Sequence, residues 1–215
     1  MAGSEQSNAM DEVQLALTGL LQGQGFRKRA RTYSRKTTDG LTQVLNFQMG
    51  RFEPPGPTLG LRPSSNLYGQ FTVNLGIFIP EVSAALAPWV GKTITEPDCE
   101  LRVRLGALVS SSGDRWWPIN LDPTVVDELD DLLRTVAVEF WDQFSGREKV
   151  LRYLASPDKP QFTARAKLVR AVMVAHAGDK PTATLLLDSH IADAKADGRD
   201  RHAAYVHDLR QALGF

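Results

Sequence analysis

The chain has 215 residues, of which 42% are apolar and 23% are charged, proportions typical of a globular protein with a sizeable core. Its 25 basic and 25 acidic side chains cancel. This balance excludes the overall positive field with which nucleic-acid-binding proteins attract phosphate, so nucleic acid is not an expected partner. No apolar run approaches the roughly 18 residues that would span a bilayer, so no membrane partner is expected either.

The N-terminal residues and the cysteine content indicate the cellular compartment. The only cysteine, Cys99, has no partner for an internal disulfide, and the N-terminal segment lacks the residue order of a secretion signal. Both observations favour a reducing cytoplasm. Residues 1–9 are small and polar, and Ser-Asn-Ala before Met10 resembles the remnant of a cleaved tag. We therefore expect residues 1–9 to be a disordered leader and the folded chain to begin at Met10.

Apolar residues recur at helical spacing up to Leu21, which predicts a first helix over residues 11–21. Four stretches with strand character follow, at 26–35, 41–49, 69–80 and 99–109. Between the second and third of them, residues 51–66 contain four prolines and two glycines, which predict a loop. The first half of the chain is therefore rich in strands.

Helical spacing dominates the second half. Asp122 and Pro123 are typical of the cap and first turn of a helix, predicted over 123–144. Turn-forming sequences separate four further predicted helices, at 147–155, 161–177, 182–197 and 200–213.

Strands followed by helices, without strand-helix-strand repetition, predict an α+β fold. We expect an antiparallel sheet of about four strands packed on the helices at 11–21 and 123–144, followed by a C-terminal helical bundle. The predicted domains are an α+β domain over 10–146 and a helical extension over 147–215 that docks on it.

Short motifs occur in a definite order between about residues 11 and 145. They are Gly25-Phe26 with the basic residues after it, Tyr33 and Arg35, Asn46-Phe47-Gln48, Val73-Asn74-Leu75-Gly76, Arg104-Leu105-Gly106 and Asp114 through Trp117. In this order they resemble the bacterial family DUF4304, a domain of unknown function. The resemblance implies a coherent fold and supplies no established activity, cofactor or catalytic residue.

A basic run forms a secondary patch of four arginines, Arg27, Arg29, Arg31 and Arg35. In one regular strand they would share a face with Tyr33, while Phe26 pointed the opposite way. Burial of both aromatic rings requires a bulge or a break between them. Because charged side chains protect an edge strand from pairing with other sheets, we interpret the patch as a solvated edge. The alternatives are a site that grips an anion or phosphate, and sequence-independent nucleic-acid binding.

The alternation of the other strands predicts a polar sheet face. If the apolar positions cover the helices, the side chains that emerge together on the opposite face are Asn46, Gln48, Asn74, Arg102 and Arg104. Amide and guanidinium groups bind carboxylate, phosphate and amide groups. Trp116 adds an aromatic anchor beside them. We predict that these six residues form a binding surface; the alternative is a solvated sheet face.

No familiar nucleophile, metal or phosphate-loop signature occurs in the sequence. His190, Asp193 and Asp197 share a helical face but are interpreted as surface residues. We therefore predict no catalytic residue, no metal and no cofactor. The sequence favours a non-catalytic interaction protein, immunity or regulatory in role, with a protein or a small anionic ligand as partner. The alternative is an enzyme or a nucleic-acid-handling protein whose Arg and Asn residues form a site that no motif reveals.

Overall fold

The computed structural model describes residues 2–50, 66–86, 91, 93–109, 114–120, 122–156, 162–163 and 165–215. The predicted loop 51–66 lies outside the described residues except for its last position. The described strands are β1 (Arg27–Arg29), β2 (Thr32–Lys36), β3 (Thr42–Met49), β4 (Gln70–Phe78), β5 (Leu101–Arg104) and β6 (Trp117–Pro118). The described helices are α1 (Ala2–Gly23), α2 (Pro80–Leu86), α3 (Leu105–Val109), α4 (Pro123–Arg134), α5 (Val136–Gln143), α6 (Arg147–Leu154), α7 (Ala166–His176), α8 (Lys180–Ala196) and α9 (Asp200–Ala212). None of these helices combines the length and the apolar content needed to cross a membrane.

The strands form one antiparallel sheet in the order β1-β2-β3-β4-β5, and β6 pairs with the start of β4. The α+β prediction, with an antiparallel sheet and C-terminal helices, is confirmed. The sheet has more strands than the four expected. The basic segment contributes two strands instead of one, and Trp117–Pro118 is too short to be recognised from alternation.

Several helix boundaries differ from the expected ones, most clearly at the start of α1 and within the predicted helix 123–144. Helix α1 begins at Ala2, so the expected disordered leader is helical, and Oγ of Ser7 accepts a 2.8 Å hydrogen bond from Arg31. The predicted helix 123–144 is divided at Thr135, whose backbone leaves the helical region and whose hydroxyl bonds to the carbonyl of Asp131. The predicted cap is present, since Asp122 accepts a hydrogen bond from the backbone of Thr124.

The basic segment is a hairpin in which β1 pairs with β2, with Arg27 opposite Ser34 and Arg29 opposite Thr32. Two residues connect the strands, and the first of them, Ala30, has a φ of 51°. This turn is the break that burial of both Phe26 and Tyr33 requires. Alternation and turn motifs do not predict this turn, because alanine occupies the left-handed position where glycine or asparagine is usual.

Ala30→Gly is expected to raise the free energy of unfolding by about 0.5 kcal/mol. The left-handed backbone costs alanine about 1 kcal/mol, and the greater freedom of glycine in the unfolded chain offsets part of the gain. Urea denaturation measures the effect. Ala16→Gly, at an exposed position inside α1, is the control and should lower stability by about 1 kcal/mol. A loss of stability in Ala30→Gly would contradict the assigned turn.

Contacts between Cα atoms divide the chain into two compact units, and the first comprises Met1–Arg35, Gln43–Gly76 and Val103–Asp142. A row of aromatic rings crosses its sheet, with centroid distances of 5.9 Å from Tyr33 to Phe47, 6.2 Å from Phe47 to Phe71 and 6.1 Å from Phe71 to Trp117. The Tyr33 hydroxyl bonds to Thr18 of α1, and the Trp117 indole bonds to Glu128 of α4. This sheet face therefore packs on α1 and α4, as predicted.

The second unit comprises Lys36–Thr42, Ile77–Arg102 and Gln143–Phe215. Helices α7, α8 and α9 pack in sequence, and α2 contacts both α7 and α9. An aromatic cluster adds to its core, with ring centroids 4.8 Å apart for Phe144 and Tyr153 and 5.6 Å apart for Tyr153 and Phe162. The C-terminal helices therefore share a core with residues between 77 and 102.

Candidate functional site

The three predicted amide side chains lie on neighbouring strands but contact different groups. Nδ2 of Asn46 donates to the carbonyl of Arg31 at 3.2 Å and to Oγ1 of Thr32 at 3.1 Å. Oε1 of Gln48 accepts a 2.8 Å hydrogen bond from Nδ2 of Asn74. Asn46 thus supports the turn between β1 and β2, whereas Gln48 and Asn74 form a polar link between β3 and β4.

Asn74 does not emerge on an open polar face. It is 3% exposed, and Thr72 on the same strand is fully buried and donates a 3.3 Å hydrogen bond to the carbonyl of Arg115. A Cβ at Gly106 would lie 2.6 Å from Cβ of Arg115 and 2.7 Å from its backbone nitrogen, so only glycine permits this approach. The expectation that all five polar side chains emerge together is therefore wrong for Asn74, which is buried and bonded to Gln48.

Arg102 is held by an acid on the turn before its strand. Its Nε donates to Oε1 of Glu96 at 2.6 Å, and its Nη2 donates to Oε2 at 3.1 Å. The hydrogen bonds with Glu96 raise the pKa of Arg102 further above its ordinary value. Glu96 is nearly buried, and a buried carboxylate needs such a partner. Arg102 therefore stabilises the turn Glu96–Asp98, and part of its guanidinium remains exposed.

Arg104, Asp114 and Trp116 form a partly exposed cluster, here called the Arg104–Trp116 surface. Nη1 of Arg104 donates to Oδ2 of Asp114, and the same oxygen accepts a 2.9 Å hydrogen bond from Nε1 of Trp116. The guanidinium carbon of Arg104 lies 5.3 Å from the centroid of the Trp116 ring, within the range of a cation–π contact. The Arg104 side chain is 41% exposed. An acid and an aromatic ring thus orient a cation that solvent can reach.

A second cluster of the same composition lies beside it in the chain. Arg115 and the indole nitrogen of Trp117 both bond to Glu128 of α4, at 2.5 Å and 3.2 Å. The guanidinium carbon of Arg115 lies 5.5 Å from the centroid of the Trp117 ring. Here the indole is buried, so this cluster fixes β6 to α4. Of the two adjacent tryptophans, Trp117 is therefore a buried anchor and Trp116 is partly exposed.

The secondary basic patch is divided by the hairpin. Arg27 and Arg29 are exposed on β1, the edge strand, in agreement with a solvated edge. Arg31, in the turn, donates from Nη1 to the sulfur of Met49 at 2.7 Å and from Nη2 to Ser7. The four arginines therefore do not form one basic surface.

Arg35 is a structural residue of the first unit. Its Nε donates to Oε1 of Gln43 at 2.7 Å, and its Nη1 donates to the carbonyl of Gln24 at 2.6 Å. Its guanidinium carbon lies 4.6 Å from the Phe26 ring centroid and 5.3 Å from that of Trp141. Arg35 thus joins β2 to α5 and to the end of α1.

Sequence reasoning missed a partly buried ion pair in the second unit. Arg147 of α6 donates two hydrogen bonds to Glu81 of α2, from Nε to Oε1 at 2.7 Å and from Nη2 to Oε2 at 2.8 Å. The backbone nitrogen of Arg147 also donates to Asp39. Burial alone would raise the pKa of Glu81, but the hydrogen bonds and charge of Arg147 outweigh it, and the pKa lies below its ordinary value. No signal in the sequence joins positions so far apart.

Glu100, immediately before β5, has a strongly raised pKa. Burial raises the pKa of Glu100 to about 8. A 2.6 Å hydrogen bond from the backbone nitrogen of Ile79 acts in the opposite direction and offsets part of this effect. The charge of Glu81 acts in the same direction as burial, and Arg165 opposes it. Glu100 is therefore largely protonated at neutral pH, where an ordinary glutamate is ionised.

The described part of the chain contains no group of three or more His, Cys, Asp or Glu side chains that could hold a metal ion. The Cys99 thiol is buried, and burial raises its pKa well above its ordinary value. A buried thiol of this kind is a poor nucleophile because the reactive species is the thiolate.

Comparison with family models finds a match that covers less than half of the chain. Residues 58–143 match the model of DUF4304, a domain of unknown function. The matched segment includes the whole Arg104–Trp116 surface and Glu128. The motifs before residue 58 lie outside it.

Neither the curated proteins nor the solved structures provide a match. The resemblance indicated by the ordered sequence motifs is nevertheless confirmed, since residues 58–143 of this chain match the domain of unknown function DUF4304.

Proposed function

We propose that this protein is a non-catalytic binding protein, and that its Arg104–Trp116 surface receives a carboxylate or phosphate group of a partner. One observation carries the proposal: the half-exposed guanidinium of Arg104 is held over the Trp116 ring by Asp114. Guanidinium is planar and weakly hydrated, and it binds such anions through two parallel hydrogen bonds.

The energetics of exposed ion pairs support a binding role over a purely structural one. An exposed Arg–Asp pair stabilises a fold by less than about 1 kcal/mol, so Arg104 and Asp114 contribute little to the stability of the unit. What the cluster provides is a cation in a fixed orientation, which lowers the entropy lost on binding. Within the described part of the chain, the hydrogen bond from Arg104 to Asp114 uses one of the five N–H donors of the guanidinium group.

The alternative, an enzyme or nucleic-acid-handling protein with a site of Arg and Asn residues, has less support. Such a site would direct Asn46, Asn74 and Arg104 toward one substrate. Asn46 instead bonds to the β1–β2 turn, and Asn74 bonds to Gln48. The two arginines of β5 bond to separate acids. These contacts favour a local anion-binding surface over an assembled active site.

Arg104→Ala is expected to lower the affinity for an anion by roughly 10- to 100-fold, the loss of one or two charge-assisted hydrogen bonds. The probes are citrate and inorganic phosphate, titrated at low salt and followed by tryptophan fluorescence, with Trp116→Phe identifying the reporting ring. Arg134→Ala is the matched control, because Arg134 is an exposed arginine paired with Asp130. It should bind like the unmodified protein.

The thermal midpoint of Arg104→Ala should stay within a few degrees of that of the unmodified protein, so that weaker binding is not mistaken for unfolding. If neither anion binds, or if Arg104→Ala and Arg134→Ala bind equally well, the Arg104–Trp116 surface is not an anion-binding site.

A further inference from the structure

Two imidazole rings meet between α8 and α9. The Nε2 atoms of His190 and His202 are 2.9 Å apart, a hydrogen-bond distance, and the ring planes are inclined by 73°. When both rings are neutral, one nitrogen donates the shared proton and the other accepts it. The His202 ring also stacks on Tyr205, with centroids 6.0 Å apart. The contact between the two helices therefore depends on the proton count of this pair.

The other nitrogen of His190 limits how many protons the pair can hold. Nδ1 of His190 is buried and has no hydrogen-bond partner in the described structure. A buried N–H group without an acceptor costs more free energy than a buried acceptor nitrogen without a donor. The favoured neutral state therefore has the His190 proton on Nε2, donated to His202, and a bare Nδ1. Any further proton on His190 occupies the buried nitrogen.

The charges that face the pair come from α7, from α8 and from the turn between α8 and α9. Lys167 projects from α7, Asp193 lies on α8 and bonds to Lys167, and Arg199 caps α9. Burial lowers the pKa of His190, and His202, Lys167 and Arg199 act in the same direction, whereas Asp193 opposes them. The surroundings therefore disfavour an imidazolium at this position.

We propose that the His190–His202 pair is a pH-sensitive contact that holds α8 against α9 when both rings are neutral and releases it when the pair takes up protons. A doubly protonated pair would place two cations at hydrogen-bond distance with no shared acceptor. A metal ion is a poorer occupant, because a ligating imidazole donates its second N–H to an acceptor and Nδ1 of His190 has none.

The direction of the pH effect follows from the sign of the change at His190. A histidine whose folded pKa lies below its unfolded value contributes its full stabilising effect above about pH 6.5, the ordinary value. That contribution is lost as the pH falls from about 6.5 through the lower folded value. The pKa of Asp193 lies below its ordinary value, so this carboxylate titrates below the range from pH 7.5 to pH 5.5. Glu100, with a pKa of about 8, stabilises the fold as the pH falls through this range, so a loss of protection has the sign expected of the histidines and not of Glu100.

Amide hydrogen exchange of the full chain at pH 7.5 and pH 5.5, corrected for the intrinsic exchange rate, tests the proposal. Protection of α8 and α9 amides should fall at least about threefold in the unmodified protein, because protonation of the pair favours opening of the contact between the two helices. His202→Gln keeps a neutral donor and acceptor, and its protection should change less than twofold. His207→Gln is the matched control on an exposed histidine of α9 and should keep the full pH effect.

His190→Gln provides a second, independent removal of the pair if His202→Gln folds poorly, and it should also abolish the pH effect. Equal loss of protection in the unmodified protein and in both pair variants would overturn the proposal. So would unchanged protection of the unmodified protein between the two pH values.

Discussion

Replacing Arg147 with methionine is expected to lower the free energy of unfolding by about 2–3 kcal/mol, since it leaves the partly buried Glu81 carboxylate without its charged hydrogen-bond partner. Glu81 is 5% exposed, and both of its oxygens accept hydrogen bonds from Arg147. Methionine retains much of the packing volume but offers no donor. Urea denaturation at pH 7 measures the loss.

Arg152→Met is the matched control for this prediction. Arg152 lies on the same helix, α6, and pairs with Glu148, but its side chain is 72% exposed. Its replacement should change the free energy of unfolding by less than about 0.5 kcal/mol. Adding Glu81→Gln to Arg147→Met removes the orphaned charge and should recover part of the loss. If Arg147→Met and Arg152→Met were equally stable, the buried pair would contribute nothing to the fold.

Glu100→Gln is expected to be more stable than the unmodified protein at pH 9, by on the order of 2–4 kcal/mol, and nearly equal to it at pH 5. The folded pKa of Glu100 is about 8, whereas the unfolded value is near 4.5. A raised acid pKa means that the folded state holds the proton more tightly, so stability is lost as the pH rises from about 4.5 to 8. Glutamine cannot ionise, yet its carbonyl still accepts the hydrogen bond from Ile79.

Urea denaturation of both proteins at intervals from pH 5 to pH 9 measures this difference. Glu148→Gln, at an exposed glutamate of α6, is the control and should follow the unmodified protein at every pH. A difference between Glu100→Gln and the unmodified protein that did not grow with pH would show that Glu100 is ionised in the folded state.

Alternation and capping made much of the fold predictable. The alternation in β3 and β4 placed Phe47 and Val73 in the core, and Asp122 marked the start of α4 correctly. These signals are local, because each depends on residues within one turn or one strand. The β1–β2 turn was only inferred as a break, because an alanine occupies a position where glycine is usual.

The candidate site was predictable only in part. Strand parity and the tryptophan pair drew attention to Arg104 and Trp116, which do lie together. Parity could not show that Asn74 is buried, because burial on the second face of a sheet depends on tertiary packing. Nor could it reveal the pairing of Glu81 with Arg147 or the pKa of Glu100, which arise from residues distant in sequence.

The close approach at Gly106 means that the outer shape of the Arg104–Trp116 surface is set from inside the unit. Any larger residue at Gly106 would meet the backbone of Arg115 and displace it. Trp116 follows Arg115 directly, so its ring would shift relative to Arg104 although neither side chain had changed. A substitution at this interior glycine would therefore change the distance between the Trp116 ring and the Arg104 guanidinium while every surface residue stayed the same.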